Sequence, residues 1–185
     1  MYSKKFLFGI LFSFAILHAE NSASLNINNN DLELQASVDM FSAYEGSTTY
    51  ILDGSYLHTK TNNMFRVAFR GENTFQSLEG LSLGFGAKAV FADKFMSVPL
   101  LAKANLILPF GDTVPTTSIN TSFAYAPSIL SFVDAQSYTE FKLEADMEVI
   151  SNIHLFTGYR NIDTKYNTHD KTFNDSFYGG MKLSF

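Results

Sequence analysis

The sequence predicts an all-β protein, a transmembrane antiparallel β-barrel of ten strands, and three observations support this prediction. The first is a C-terminal segment that alternates between apolar and polar residues and ends on Phe185. The second is a short apolar segment close to the N-terminus, and the third is a series of alternating segments separated by turn residues. Strands with lipid on one side and a wet interior on the other have this period of two.

The C-terminal segment places Ser184, Lys182, Gly180 and Tyr178 on its polar or small face. A strand that finishes on a terminal phenylalanine resembles the closing strand of bacterial outer-membrane barrels, which the barrel-assembly machinery reads. We therefore expect that machinery as a partner and expect its signal on the apolar face, which carries Phe177, Met181, Leu183 and Phe185.

The N-terminal segment has the features of a secretory signal peptide. Lys4 and Lys5 precede an apolar stretch from residue 6 to residue 17. A helix needs about 20 apolar residues to cross a bilayer, so this stretch is too short to span one. We expect cleavage after Ala19, which gives a signal peptide at residues 1–19 and one barrel domain at residues 20–185.

Composition is typical of the same class. The chain has 19 Phe and 9 Tyr, a load that suits the aromatic girdles of a barrel, and its hydropathy is balanced because the two faces of each strand cancel. The absence of cysteine excludes a disulfide and a lipoprotein anchor. The net charge of −5 argues against nucleic acid as a partner; outer-membrane lipid is the expected one.

Alternation along the remaining chain predicts nine strands. Their apolar faces are continuous, and polar turns separate them at residues 60–63, 93–94, 110–115 and 151–152. Pro99 is tolerated because it lies close to the start of its strand. The nine strands are predicted at residues 31–41, 48–59, 64–72, 80–91, 98–108, 119–125, 138–149, 153–163 and 173–185.

An even number of strands is required, because single-chain bacterial barrels have even strand numbers. The segment from Ser22 to Asn28 supplies a tenth strand that turns at Asn29 and Asn30. Eight strands is the alternative, if the two weak segments at 22–28 and 31–41 do not both span. A soluble β-sandwich or a lipocalin-like barrel is disfavoured because the apolar faces are long and continuous.

Three stretches carry a family resemblance: 123–140, with Tyr125-Ala-Pro127 followed by Leu130-Ser-Phe132; 158–164, with Gly158-Tyr-Arg160; and the opening 24–33. Together they resemble the YfaZ family of small bacterial outer-membrane proteins. The resemblance implies a location and a fold, and it implies no reaction.

Charged residues on the interior faces are the clearest candidate site. Charges inside a narrow barrel must pair, because an isolated one costs several kcal/mol. One hypothesis is therefore a structural salt-bridge network that plugs the lumen, and the other is a narrow conduit whose carboxylates favour cations. The Glu144 and Asp146 pair also suits acid/base catalysis, although carboxylate pairs at this spacing are common in barrel interiors. The predicted lumen charges are Glu140, Glu144, Asp146, Glu148, Arg66, Arg70, Lys88, Lys103, Arg160 and Lys182.

Two loops are candidates for roles outside the lumen. The segment at 127–135 is apolar for a loop, and we expect Leu130 and Phe132 to fold into the barrel mouth as a lid, with a gate or a partner surface as the alternative. Asp163, His169 and Asp170 could form a catalytic or metal cluster at the rim. The sequence contains no catalytic or phosphate-binding motif, so no enzyme and no cofactor are expected.

Two functions remain open at this stage. The first is a small outer-membrane barrel that acts as a narrow, porin-like channel for small polar solutes or ions. The second is a structural or adhesive envelope barrel whose lumen is plugged by salt bridges. The oligomeric state is not predicted.

Overall fold

The computed structural model describes residues 21–42, 48–75, 78, 80–110, 114–167 and 170–185. The predicted signal peptide, residues 1–19, lies outside the described residues. The described part of the chain contains no helix that is long and apolar enough to cross a membrane.

The described chain is built of strands with a single 3₁₀ turn at Ser128–Leu130. The strands are β1 (Ser22–Ile27), β2 (Asp31–Ser42), β3 (Thr49–Thr59), β4 (Asn63–Thr74), β5 (Leu81–Ala92), β6 (Phe95–Ser97), β7 (Leu100–Ile107), β8 (Thr117–Ala126), β9 (Ser131–Val133), β10 (Ala135–Ile150), β11 (Ile153–Tyr166) and β12 (Asp170–Ser184).

Ten of these strands form a closed antiparallel barrel, and the predicted fold class and strand number are confirmed. Each barrel strand pairs with the next along the chain, in the order β1, β2, β3, β4, β5, β7, β8, β10, β11, β12. The first and last strands close the ring, with Ser22 opposite Ser184 and Ile27 opposite Gly179. The tenth strand, β1, is the segment that the even strand number required.

Both described ends of the chain lie at one end of the barrel, which we call the terminus end. The backbone of Asn21 exchanges two hydrogen bonds with Phe185 there, at 2.9 and 3.0 Å. The connections 28–30, 60–62 and 93–94 lie at the opposite end, the far end. Strands β10 to β12 are the longest, with 16, 14 and 15 residues, so their side of the wall rises furthest at the far end.

The far end also carries a small extension that the sequence did not predict. Strand β6 continues from β5 through a turn at Asp93 and Lys94 and pairs with β9. The segment 127–135, predicted as a loop, thus contains a 3₁₀ turn and a strand. Three-residue strands carry too little periodicity to be recognised in a sequence.

The outward face of the barrel is apolar and exposed. Phe85, Phe177 and Leu100 are 66%, 76% and 65% exposed although they lie in regular strands. Aromatic rings pair on this surface, as Phe65 does with Phe91 and Tyr159 with Phe177. Large apolar side chains that face outwards from every barrel strand are the pattern of a barrel surrounded by lipid.

Candidate functional site: the barrel lumen

The far end of the lumen is filled by apolar side chains, which we call the mouth cluster. Every barrel strand except β1 and β2 contributes to it. Leu57, Met64, Val90 and Tyr138 are completely buried in it. The full cluster consists of Leu57, Met64, Ala68, Val90, Phe95, Leu101, Ala124, Ala126, Ala135, Tyr138, Ile162 and Phe173.

Phe173 reaches this cluster through a β-bulge. The register of β11 and β12 shifts between Ile162 and Asp163, which leaves Phe173 as the extra residue. Phe173 and Asn174 are consecutive and both buried. A bulge redirects a side chain in this way. It interrupts the inward and outward alternation of β12 and turns the ring of Phe173 into the mouth cluster.

Beneath the mouth cluster lies a layer of five charges, which we call the charge layer: Glu33, Arg66, Lys88, Glu140 and Arg160. Glu33 lies between two guanidinium groups and accepts hydrogen bonds from both Arg66 and Arg160. Arg66 Nη1 also donates to Glu140 at 2.9 Å, across the lumen from β4 to β10. Lys88 Nζ lies 2.6 Å from the second oxygen of Glu140. The layer therefore links opposite walls of the barrel.

Neutral groups complete the hydrogen bonding of the charge layer. Asn26 donates to Glu33 at 2.5 Å, and the hydroxyl of Tyr138 donates to Glu140 at 2.6 Å. The guanidinium of Arg160 donates to Asn174 at 2.9 Å and lies 5.3 Å from the centre of the Tyr178 ring. Buried charges are tolerated when they are paired and their remaining lone pairs and protons are used, as they are here.

A second group of ion pairs lies nearer the terminus end. Arg70 binds Asp53 at 2.8 Å and also binds Glu72, and Ser37 donates to Asp53 at 2.6 Å. These residues come from β2, β3 and β4, so this wall of the barrel carries its own local network.

The inner row of β10 is paired in the same way. Lys142 lies 3.1 Å from Glu144, to which Tyr178 donates at 3.0 Å. Asp146 lies 2.8 Å from both Lys182 and His154. Glu148, the last of the row, accepts a hydrogen bond from the backbone of Asn152 at 3.1 Å.

Between the charge layer and the terminus end the lumen holds a cavity of about 630 Å³. Its inner end is lined by Arg66, Lys88 and Glu140 of the charge layer, and Ser22 and Thr74 line it at the terminus end. Seven of the predicted lumen charges line this cavity, namely Arg66, Arg70, Lys88, Lys103, Glu140, Glu144 and Lys182. Arg160 and Asp146 are buried in ion pairs instead.

Lys103 differs from the other lumen cations. It lies on β7 and lines the cavity, yet within the described residues its ammonium has no hydrogen bond and no carboxylate within 4 Å. The charged groups that act on it are Arg70, Asp53, Glu72 and Lys142. Arg70 already binds both of these carboxylates.

The predicted lid needs a correction. Leu130 packs against the mouth cluster, but Phe132 is 44% exposed and pairs with Met96 in the β6–β9 extension. Ile129 and Val133 are still more exposed. Of the two predicted lid residues, Leu130 packs at the mouth, whereas Phe132 belongs to the exposed pairing of β6 with β9.

The two remaining predicted sites are the rim cluster and the C-terminal assembly residues. His169 of the rim cluster lies outside the described residues, and Asp163 accepts a hydrogen bond from Thr172 at 2.8 Å. Among the described residues no group of histidine and acidic side chains could hold a metal ion. The predicted assembly residues Phe177, Met181, Leu183 and Phe185 all lie exposed on the outward face of the last strand or at its end.

Sequence reasoning missed Glu33, the centre of the charge layer, as well as Asp53 and Glu72. The alternation Leu32, Glu33, Leu34 did place Glu33 on an interior face. What was lacking was its partners, since Glu33 and Arg160 are 127 residues apart in the chain.

Comparison with known proteins finds a matching family model and a similar solved structure. The family model described as YfaZ precursor matches residues 103–185, which include β8 and β10 to β12. The structure of a NanC porin in a rhombohedral crystal form is similar with a TM-score of 0.42 and 6% sequence identity, over 90% of this chain and 97% of that chain. No curated protein matches the chain. The opening stretch at 24–33 lies outside the family match, and the resemblance to the YfaZ family is supported over residues 103–185.

Proposed function

We propose that this protein is a β-barrel of the bacterial outer membrane with a closed lumen: an envelope barrel that does not conduct ions, with a cavity accessible from the terminus end. The observation that carries the proposal is the charge layer beneath the mouth cluster.

The outward face supports a place in a membrane. From Phe177 to Phe185 the apolar face of β12 runs for roughly 27 Å along the strand. At the usual strand tilt of roughly 35–45° this corresponds to about 20 Å across a bilayer, close to the apolar band of about 25 Å in known barrels. Beyond Phe177 the outer face becomes polar, with Asp175 accepting a hydrogen bond from Tyr159 at 2.8 Å.

This polarity change supports an orientation. The parts of β11 and β12 that lie beyond Tyr159 and Asp175 project past the apolar band at the far end. The terminus end would then face the periplasm, and the cavity would open on that side. In this orientation the assembly machinery that we expect as a partner would meet Phe185 from the periplasmic side.

Closure of the lumen is supported by two successive barriers. The mouth cluster includes Leu57, Met64, Val90 and Tyr138, each with no exposed surface. Beneath it, Arg66 and Glu140 bridge opposite walls. An ion that crossed the barrel would have to displace packed apolar side chains and separate buried ion pairs, each of which costs several kcal/mol.

The narrow channel is the second candidate, and the polar cavity is the observation that favours it. A cation-selective ring needs carboxylates that are free to bind ions. Here Glu140 is bound by Arg66 and Lys88, and Glu144 lies beside Lys142. The pairing of these carboxylates favours the closed barrel.

Conductance in a planar bilayer tests the proposal. The barrel, refolded without its predicted signal peptide, should insert and remain silent, and the double variant Glu144→Gln/Asp146→Asn should also be silent while unfolding at a lower temperature. Insertion is verified by the altered gel mobility of a folded barrel before and after heating.

A variant with an emptied mouth provides the matched control. Tyr138→Ala with Phe95→Ala removes two rings that pack against each other at 6.1 Å between centroids. It should give more frequent current fluctuations than the original protein. Discrete openings of the original protein, with a cation preference that weakens in Glu144→Gln/Asp146→Asn, would overturn the closed barrel and establish the channel.

A further inference from the structure

Among the described residues Lys103 is the cation of the cavity lining that has no carboxylate within 4 Å, and we propose that the cavity is a binding site for a small hydroxylated anion, a sugar-sized carboxylate or phosphate, whose charge pairs with Lys103. The inference rests on the proposed function only for the side from which the ligand enters.

The first step is the state of Lys103. Within the described residues each other lysine or arginine that lines the cavity has a carboxylate within 4 Å, including Lys142 at 3.1 Å and Lys182 at 2.8 Å. Lys103 has none, because Asp53 and Glu72 are both bound by Arg70. Asp53 and Glu72 act on Lys103 only from beyond 4 Å, so its ammonium has all three donors available for a bound anion.

The second step is the surroundings of Lys103 in the sheet. Ser122 of β8 is the direct register partner of Lys103 on one side and of Lys142 on the other. On the opposite flank Lys103 pairs with Gly84, which has no side chain to occupy the lumen. Lys103 and Lys142 are thus both register neighbours of one hydroxyl. The Glu72 carboxylate occupies the Gly84 side, 3.6 Å from where a Cβ atom of residue 84 would lie, so we place the anion on the Ser122 side, where both lysines could donate to it.

The third step concerns the rest of the ligand. The cavity of about 630 Å³ lies within the range of roughly 300–1,000 Å³ that is usual for small-molecule sites. Its wall away from the ion pairs is formed largely by hydroxyl and amide groups, which hydrogen-bond well to the hydroxyls of a sugar. Examples are Ser22, Ser24, Gln35, Ser37, Asn120 and Ser122.

Isothermal titration calorimetry of the refolded barrel at low ionic strength tests the site with three probes. Glucuronate and glucose 6-phosphate represent the two anionic groups, and glucose is the neutral counterpart. At least one anionic probe should bind at least tenfold more tightly than glucose, and added salt should weaken that binding. The stronger of the two identifies the preferred anion.

Variants assign the binding to Lys103. Lys103→Gln should weaken the anionic probe at least tenfold, and Lys103→Arg should retain most of the affinity. The control is Lys165→Gln at the far end, where the side chain is 55% exposed, and it should bind as the original protein does. Because Lys103→Gln breaks no ion pair, its melting temperature should equal or exceed that of the original barrel.

Equal binding of glucose and both anions, equal binding by Lys103→Gln, or no binding of any probe would overturn the inference. So would a Lys103→Gln barrel that melts at a clearly lower temperature, since Lys103 would then act in the structure. Conductance of the same preparation is recorded separately. Failure of the closed barrel appears there as ion current, and failure of the anion site appears as absent binding in calorimetry, so the two failures are distinguished.

Discussion

At the scale of single residues, Glu33 joins two buried arginines in the charge layer of the lumen. It is 2% exposed, and it accepts from two arginines and from Asn26. Glu33→Gln would leave Arg66 with only Glu140 as its carboxylate and Arg160 with none among the described residues. Removal of one partner from a buried network costs about 3–5 kcal/mol. We expect a loss of that size in the free energy of unfolding, measured by urea titration in lipid vesicles.

Glu148→Gln is the matched control for this substitution. Glu148→Gln also replaces an inner-face carboxylate by an amide. The described partner of Glu148 is the backbone N–H of Asn152, which can donate equally to the amide oxygen of glutamine. We expect a loss of less than about 1 kcal/mol. Equal losses in the two variants would show that the charge layer contributes little beyond the general effect of a lumen carboxylate.

The residue scale also shows what alternation along a sequence can and cannot reveal. The side of the strand on which Arg66, Glu140 and Lys88 lie follows from the period of two, and the structure places all three in the lumen. Their pairing depends on which strands face each other across the closed ring. Arg66 and Glu140 are 74 residues apart, and no local pattern connects them.

At the scale of elements, the contact between the first and last strands decides whether the ring closes. Gly180 of β12 faces Asn26 in β1, and a Cβ atom at Gly180 would lie 2.3 Å from the carbonyl oxygen of Leu25 and 2.4 Å from the ring of Phe156. The backbone of β1 cannot yield without losing its short pairing with β12. We expect Gly180→Ala to destabilise the barrel by at least about 1–3 kcal/mol, measured from the temperature at which gel mobility changes.

The adjacent glycine provides the control. A Cβ atom at Gly179 would meet its nearest neighbour, the carbonyl oxygen of Phe156, at an ordinary 3.7 Å. Gly179→Ala should change stability by no more than about 0.5 kcal/mol. If both alanine variants have the same melting temperature as the original protein, the contact between β1 and β12 has more room for a side chain than the structure indicates.

Strand prediction succeeded where elements are long and failed where they are short. The ten barrel strands were located because each alternates over several residues, and the weak β1 followed from the even strand number. The β6–β9 extension and the bulge at Phe173 were not foreseen. Both depend on tertiary packing at the mouth, where three residues or one inserted residue leave no periodic signal.

At the scale of the whole molecule, we expect assembly and stability to depend on different parts of the C-terminal residue. The backbone of Phe185 pairs with that of Asn21, and its ring is 54% exposed on the outward side. Alanine at this position would keep both backbone hydrogen bonds. The ring is therefore dispensable for the closed ring of strands, and its proposed use is recognition by the assembly machinery.

Phe185→Ala should consequently lower the amount of folded barrel in the outer membrane of cells several-fold, while the purified variant, refolded into vesicles, melts within a few degrees of the original. Leu155→Ala on β11 is the control, because Leu155 is an outward apolar side chain, 48% exposed, in the strand next to β12. It loses a similar lipid contact without altering the terminus, so it should assemble normally in cells. Equal accumulation of the two variants would show that lipid contact alone explains the effect, and a large loss of stability in purified Phe185→Ala would make the ring a structural element of the contact between β1 and β12.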